Sequence, residues 1–279
     1  MDEHTYSYTS QSPSVIVHPK PKSALKWLLI VLFVLIVFSG TLIGGYYLTH
    51  VDTHGVTVIR LEGTIVSGEV NDGSSIGSEV VGHELRKAAD DPMVETIVLR
   101  VNSPGGTPAG AQEIIDDLEY AKTKKPVVVS MGDMATSAAY YVSSHADRIY
   151  ADPDTFTAGV GVIWKFSDIS SWMQKEGYNL SVVKSGSKKD MGSDARPMTA
   201  EEQAYAQKIV NESFEHFIWD VTTQRMIARS DIEDGRVIRG ADAVKLNIVD
   251  ELGNINDAIA GAKKIAESRS KSSLPGPLS

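Results

Sequence analysis

The sequence predicts an α/β protein built on a mostly parallel sheet and preceded by one transmembrane helix. Three observations predict it. Short β-branched runs alternate with segments whose apolar residues recur at helical spacing, the pattern of βαβ units. Several of those runs are apolar throughout, as suits strands covered on both faces. The stretch Trp27 to Leu48, WLLIVLFVLIVFSGTLIGGYYL, carries no charge.

That stretch comes first. As a helix rising 1.5 Å per residue it spans roughly 33 Å, the thickness of a hydrocarbon core. Trp27, Tyr46 and Tyr47 stand at its two ends, where aromatic rings favour the interface. A cleaved signal peptide would have a shorter apolar region followed by an A-x-A-like site, and no such site follows here. The run therefore reads as an uncleaved signal anchor. Lys20, Lys22 and Lys26 precede it, and the next cation is Arg60. The positive-inside rule places the N-terminus in the cytoplasm, with the rest outside the cell membrane. The expected organisation is a disordered cytoplasmic segment (1–24), the anchor (25–48), an extracytoplasmic domain (51–267) and a disordered tail (268–279).

Within the outer domain, GVTVIRLEGTIV (55–66) reads as a strand ending in a turn, and residues 76–90 as a helix. ETIVLRV (95–101) is a β-branched strand broken by NSPGGTP, after which 109–122 has helical spacing with Pro108 suited to the first turn. PVVVSM (126–131) is a short strand and AAYYVSSHA a helix. DRIYAD (147–152), TAGVGVIW (157–164) and LSVVK (180–184) are further strand candidates, with helix over 166–177. A long helix runs from Thr199 to about Arg229, with Ala204, Val210, Phe214, Phe217, Ile218 and Val221 on one stripe. Short helices follow near 241–246 and 255–267.

Composition excludes several functions. The chain has 279 residues, a net charge of −9 and no cysteine. Nothing favours nucleic acid as a partner. Thiol catalysis, disulfides and Cys-ligated metals are absent. The seven histidines are scattered without an H-E-x-x-H spacing, so no metal or other cofactor is expected.

Three turns after predicted strands could carry chemistry, at the sheet edge where α/β proteins bind ligands. In Asn102-Ser-Pro-Gly105-Gly106, paired glycines allow backbone N–H groups to approach a developing oxyanion, though a plain strand-to-helix turn would look the same. No P-loop or dinucleotide motif accompanies them. In Met131-Gly-Asp-Met-Ala-Thr-Ser137-Ala-Ala-Tyr-Tyr141, Ser137 sits where a strand passes into a helix, with the Ala138 N–H beside it. The bland reading is a helix N-cap. In Lys184-Ser-Gly-Ser-Lys-Lys189-Asp190, a lysine could act as base if its surroundings lower its pKa; a solvated loop is the alternative. A Ser–His–Asp triad fits poorly. His145 lies on the same helix as Ser137, roughly 12 Å further along. His216 reads as a helix-face residue, and no motif surrounds His83.

Taken together, the three turns resemble the signal peptide peptidase A family in its short bacterial form. NSPGG, a Ser followed by two small residues and Tyr-Tyr, and KSGxxKD occur in that order. ADPDTFTAGVGVIW lies between them, and DARPMTAEE and DGRVIRGADAVKLNIVDELG follow. The resemblance covers about residues 55–260 and the anchor. It implies a ClpP/crotonase-like fold, a Ser–Lys dyad of nucleophile Ser137 and base Lys189, and an oxyanion hole lined by Gly106 and Ala138, with Gly105 shaping the turn. It also implies a ring-like homo-oligomer and peptide substrates such as signal peptide remnants. Two features depart from the family pattern. Ala138 and Ala139 replace two glycines after the nucleophile. Gly159 stands where a serine usually orients the lysine amine, leaving Thr155, Thr157 or a water as substitutes. The expected function is thus a membrane-anchored serine endopeptidase. The alternatives are an inactive or weakly active membrane-tethered scaffold on the same fold, and an acyl-CoA enzyme of the crotonase group, which the anchor and the Ser/Lys motifs disfavour.

Overall fold

The computed structural model describes residues 55–272, together with helical positions 28, 30–35 and 37. The expected cytoplasmic segment lies outside the described residues, as does much of the expected anchor. Its described positions are helical, with exposed apolar side chains. Among the described residues no helix is long and apolar enough to cross a membrane. The chain divides into two units, 1–52 and 53–279, and the second carries the sheet.

Strand β1 (Val56–Glu62) pairs in parallel with β4 (Thr96–Ser103), and β4 with β5 (Val127–Thr136). Strand β5 pairs with β6 (Arg148–Ala151), and β6 with β9 (Glu251–Leu252), again in parallel. β7 (Phe156–Ala158) adds in parallel to the far end of β5, and β8 (Val237–Arg239) closes on β7 antiparallel. β2 (Thr64–Val66) and β3 (Ser75–Gly77) form a small parallel pair of their own. The mostly parallel α/β arrangement fits the ClpP/crotonase-like fold.

Both faces of the sheet are covered because side chains alternate along each strand. Ile97, Leu99 and Val101 of β4 and Val127, Val129 and Met131 of β5 enter one core cluster. There they meet Leu85 of α1 (Ser78–Asp90) and Ile114 and Leu118 of α2 (Pro108–Lys122). Val98 and Val128 point the other way, to Ala258, Ile259 and Ala262 of α7 (Ile255–Ser272). The uninterrupted apolar runs seen in the sequence are the signature of this double burial.

The expected elements mostly form, with instructive differences. β5 continues past Met131 to Thr136, because its second half finds partners the local sequence does not reveal. Its register on β4 shifts between Val101 and Ser103, so extra residues of β5 bulge opposite Asn102, and the Asn102 side-chain carbonyl accepts from the Met134 N–H at 3.2 Å. Beyond the bulge, Met134, Ala135 and Thr136 pair with β7. TAGVGVIW yields only the end of β7, and residues 159–164 have no regular structure. LSVVK is not a strand: residues 180–184 are irregular and exposed, with no strand beside them to pair with. The helix expected over 166–177 shortens to α4 (Ser170–Lys175). The long helix α5 (Ala200–Arg225) starts at a Thr199–Glu202 capping box and ends at Met226, whose φ of 50° is left-handed. Its stripe is buried at Phe217, Ile218 and Val221, whereas Ala204 is exposed. The segment 241–246 splits into α6 (Gly240–Ala243) and a 3-10 turn (Val244–Leu246). α7 runs beyond 267 to Ser272, so the first residues of the expected tail are helical, and 273–279 lie outside the described residues.

Candidate active site

The carboxyl ends of β4 and β5 bring two of the three turns together. β5 ends at Thr136, and α3 (Ala138–Ser144) begins immediately after Ser137. Ser137 is at the N-cap position, yet its side chain makes no capping hydrogen bond. Its backbone has φ 55° and ψ −126°, a conformation that L-residues rarely hold without compensation. Two neighbours enforce it. The Ser137 N–H donates to the Ala158 carbonyl at 2.8 Å. The Thr136 hydroxyl donates to the Pro104 carbonyl at 3.0 Å, tying the serine turn to the glycine turn. The bland reading of Ser137 as a cap therefore fails: the hydroxyl faces open space rather than the helix it precedes.

The glycines answer to the same geometry. Gly105 has φ 104°, and a Cβ there would lie 2.8 Å from Ser137 Cβ and 2.9 Å from the Thr136 carbonyl oxygen. A Cβ on Gly106 would lie 1.9 Å from the Ile65 carbonyl oxygen. Neither site admits a side chain. Their N–H groups differ in fate. That of Gly105 donates to Ser103 Oγ at 3.1 Å. Gly106 sits in a parallel bridge with Ile65 whose hydrogen bonds use Gly105 O and Thr107 N, and its own N–H has no partner among the described residues. Thr107 then caps α2, accepting from the Gly110 N–H at 3.2 Å, with Pro108 in the first turn. The Ala138 N–H is the first of α3 and lies outside that helix's internal ladder. Among the described residues, two backbone donors without a partner thus flank the serine.

Ser137 is the common corner of two cavities, of about 530 Å³ and 550 Å³. Gly161, Val162 and Ile163 border both. The first is walled by Pro108, Tyr141 and Phe217 and includes Gly106 and Ala138. α5 forms a wall of each, with His216 in the first and Phe214 in the second. Tyr141 is fixed from behind: its hydroxyl donates to Asp220 at 2.8 Å, and its ring packs on Phe217 at 4.7 Å. Burial, and then the Asp220 carboxylate, push its phenol well above the ordinary range, so it stays neutral. Sequence reasoning missed this wall. Tyr141 read only as part of a motif, and His216 and Phe217 as an amphipathic stripe; no spacing signal announces that α5 walls these cavities.

Lys189 is not brought to Ser137. It is exposed in the turn after Gly186, to whose carbonyl its N–H donates at 3.1 Å, and it borders neither cavity. The proposed substitutes for an orienting serine also point elsewhere. Thr155 donates to the Gly132 carbonyl at 2.7 Å and Thr157 to the Ala135 carbonyl at 2.9 Å, both buried in the core. Gly159, with φ 62°, is beside the site: a Cβ there would be 3.5 Å from the Ser137 nitrogen. Of the histidines, His145 is buried, with one ring nitrogen 3.0 Å from Glu119 and the other 3.1 Å from Asp220. His83 is exposed on α1.

The model of Peptidase family S49 matches residues 119–269. Protease 4 of Haemophilus influenzae is 34% identical over 218 residues, covering 77% of this chain and 35% of that protein. Protease 4 of Salmonella typhi is 34% identical over 224 residues, covering 78% and 36% respectively. The chloroplastic serine protease SPPA of Arabidopsis thaliana is 28% identical over 243 residues, covering 80% and 36%. The chain spans about a third of the length of these three relatives.

Proposed function

Because the chain belongs to peptidase family S49, that of the signal peptide peptidase A proteins, we propose that it is a serine endopeptidase with Ser137 as nucleophile and Lys189 as general base. The single observation that carries the reading is Ser137 itself. It is a serine in a strained turn that does not cap its helix, at the corner of two cavities, beside the unpaired N–H groups of Gly106 and Ala138. In the proposed reaction Ser137 Oγ attacks the scissile carbonyl as the lysine amine takes its proton. The carbonyl oxygen, now negative, receives hydrogen bonds from the two N–H groups, and the same amine returns a proton to the leaving nitrogen. The apolar walls around Tyr141 and Phe217 suit short hydrophobic peptides, including remnants of signal peptides. An anchor over residues 25–48 would hold the domain at the outer membrane face, close to such substrates.

For this chemistry the Lys189 amine must reach Ser137, and in the isolated chain it does not. The reading requires the loop carrying it to close, or a second copy of the chain to supply it. A homo-oligomer is the natural source. Ile163, Trp164, Trp172, Tyr178 and Val183 are all exposed between the serine turn and the lysine turn, an apolar surface suited to burial between copies. The second reading is a weakly active scaffold on the same fold, which the exposed lysine and Gly159 favour.

Labelling with a fluorophosphonate probe separates them. The enzyme reading expects labelling that is abolished by Ser137→Ala, reduced by several powers of ten in Lys189→Ala and retained in His216→Ala. Folded wild-type protein that takes no label at any pH supports the scaffold. Loss of label in His216→Ala with retention in Lys189→Ala transfers the role of base to the histidine on the cavity wall.

A further inference from the structure

The motif KSGSKKD holds three lysines, and the structure commits two of them. Lys184 pairs with Asp190, and Lys188 pairs with Glu201 at the start of α5. Lys189 has no side-chain partner among the described residues, although the Asp190 carboxylate is its immediate neighbour in sequence. An unoccupied ammonium beside a free carboxylate would ordinarily pair with it.

The carboxylate is not free because Lys184 and Arg196 both hold it, and Arg196 takes both of its oxygens. Arg196 Nε donates to Asp190 Oδ2 at 3.0 Å and Nη2 to Oδ1 at 2.8 Å. The other edge of the guanidinium reaches Glu202, with Nη1 to Oε2 at 2.8 Å and Nη2 to Oε1 at 2.6 Å. A planar fork can serve two carboxylates in this way and a lysine cannot. Glu202 is buried, and its Oε2 also accepts the Thr199 N–H at 2.9 Å within the capping box. The chain of contacts therefore runs from the lysine turn, through Asp190 and Arg196, to the N-terminus of the helix whose middle walls both cavities.

We propose that Arg196 is a positioning residue: by holding Asp190 against Glu202 at the start of α5, it registers the Lys189 turn on that helix and, with Lys184, keeps the carboxylate from pairing with the Lys189 amine. The inference rests on the Ser–Lys reading for its purpose. An amine freed from its neighbouring carboxylate loses its proton more readily, which a general base requires. The groups facing this turn are Lys184, Lys188, Asp190 and Arg196 within it, and Glu201, Glu202 and Tyr205 from α5. Consistent with the geometry, Arg196 and then Lys184 hold the Asp190 carboxyl well below the usual carboxylate range.

The test reads the amine directly in the full-length protein. Acetic anhydride reactivity of Lys189, followed by mass spectrometry as a function of pH, gives its half-reaction point. Arg196→Gln leaves Asp190 held by Lys184 alone and is expected to raise that point by about 0.5–1 pH unit, as the oxygen Arg196 gives up turns to the Lys189 amine. Asp190→Asn in the same background is expected to return it to the wild-type value, a reversal that mere loosening of the loop would not produce. An unmoved half-reaction point in Arg196→Gln, or one that Asp190→Asn fails to restore, overturns the proposal. Should Arg196→Gln lose its helical circular dichroism, Arg196→Lys, which keeps a cation without the fork, replaces it in the same comparison. The dyad is tested separately. Fluorophosphonate labelling of Ser137 that ignores Lys189→Ala sinks the dyad and leaves the amine measurement standing.

Discussion

Residues at the serine turn hold backbone conformations that their side chains do not favour. Ala158 has φ 62° and Gly159 repeats it, so two consecutive left-handed residues deliver the Ala158 carbonyl to the Ser137 N–H. Only the second is a glycine. The contacts around Gly159 are open enough for a side chain, with Thr136 Cβ at 3.5 Å and Val237 Cγ2 at 3.8 Å from a built Cβ. Gly159→Ser would place the hydroxyl of the family pattern beside Ser137. It is expected to raise the rate of fluorophosphonate labelling while lowering stability by about 1–2 kcal/mol for a non-glycine residue in the left-handed region. Labelling kinetics and urea denaturation of the same variant check both halves. At this scale the sequence named residues that meet, but not where their neighbours' side chains turn. Ser137, Gly105, Gly106 and Ala138 do assemble at one corner. Thr155 and Thr157, four and two residues before Gly159, turn their hydroxyls into the core, because strand alternation and loop closure decide that and local spacing does not.

Among the elements, those with partners inside their own pattern were legible. β1, β4 and β6 are rich in β-branched and apolar residues, and the capped helices α2 and α5 announce their starts with Thr107-Pro108 and Thr199-x-x-Glu202. β5 and LSVVK fail in opposite directions for one reason. A strand exists only where a neighbour pairs with it. MGDMAT has such neighbours in β4 and β7 despite weak β propensity, and LSVVK has none despite strong propensity. The capping box at the start of α5 also makes the element pH-dependent. Arg196, and then the Thr199 N–H, lower the Glu202 carboxyl from its ordinary 4.5 to about 2. A depressed acid stabilises the folded state above its unfolded value, and that contribution disappears as pH falls through the folded one. Glu202→Gln is therefore expected to flatten the stability–pH profile between about 4.5 and 2. Denaturant midpoints across that range would show an unchanged slope if the carboxylate were not held.

At the scale of the whole molecule, a doubly covered parallel sheet fixes the edge where chemistry is possible, and the long connection after β7 fixes what is missing from it. The exposed apolar side chains of that connection and the exposed Lys189 lie in one stretch of chain. If a neighbouring copy supplies the lysine, co-expressed Ser137→Ala and Lys189→Ala chains complement each other. The Lys189→Ala chain, alone almost unlabelled, is then expected to take probe well above its own background. If the loop closes within one chain, the mixture labels no better than its parts. Mass spectrometry of the labelled chain decides between the two routes.

Helix α5 has a mechanical consequence. It is rooted in the core by Phe217, Ile218 and Val221, and it carries the lysine turn at its other end through Glu202 and Arg196. From Glu202 to Phe217 is roughly 22 Å of rod. Tilting that rod by about 10° about its root sweeps the far end through roughly 4 Å, by the same rise per residue. A lever of this length would convert a slight repacking behind Tyr141 into a stride of atomic size at the Lys189 turn, so that crowding the cavity wall would also move the amine.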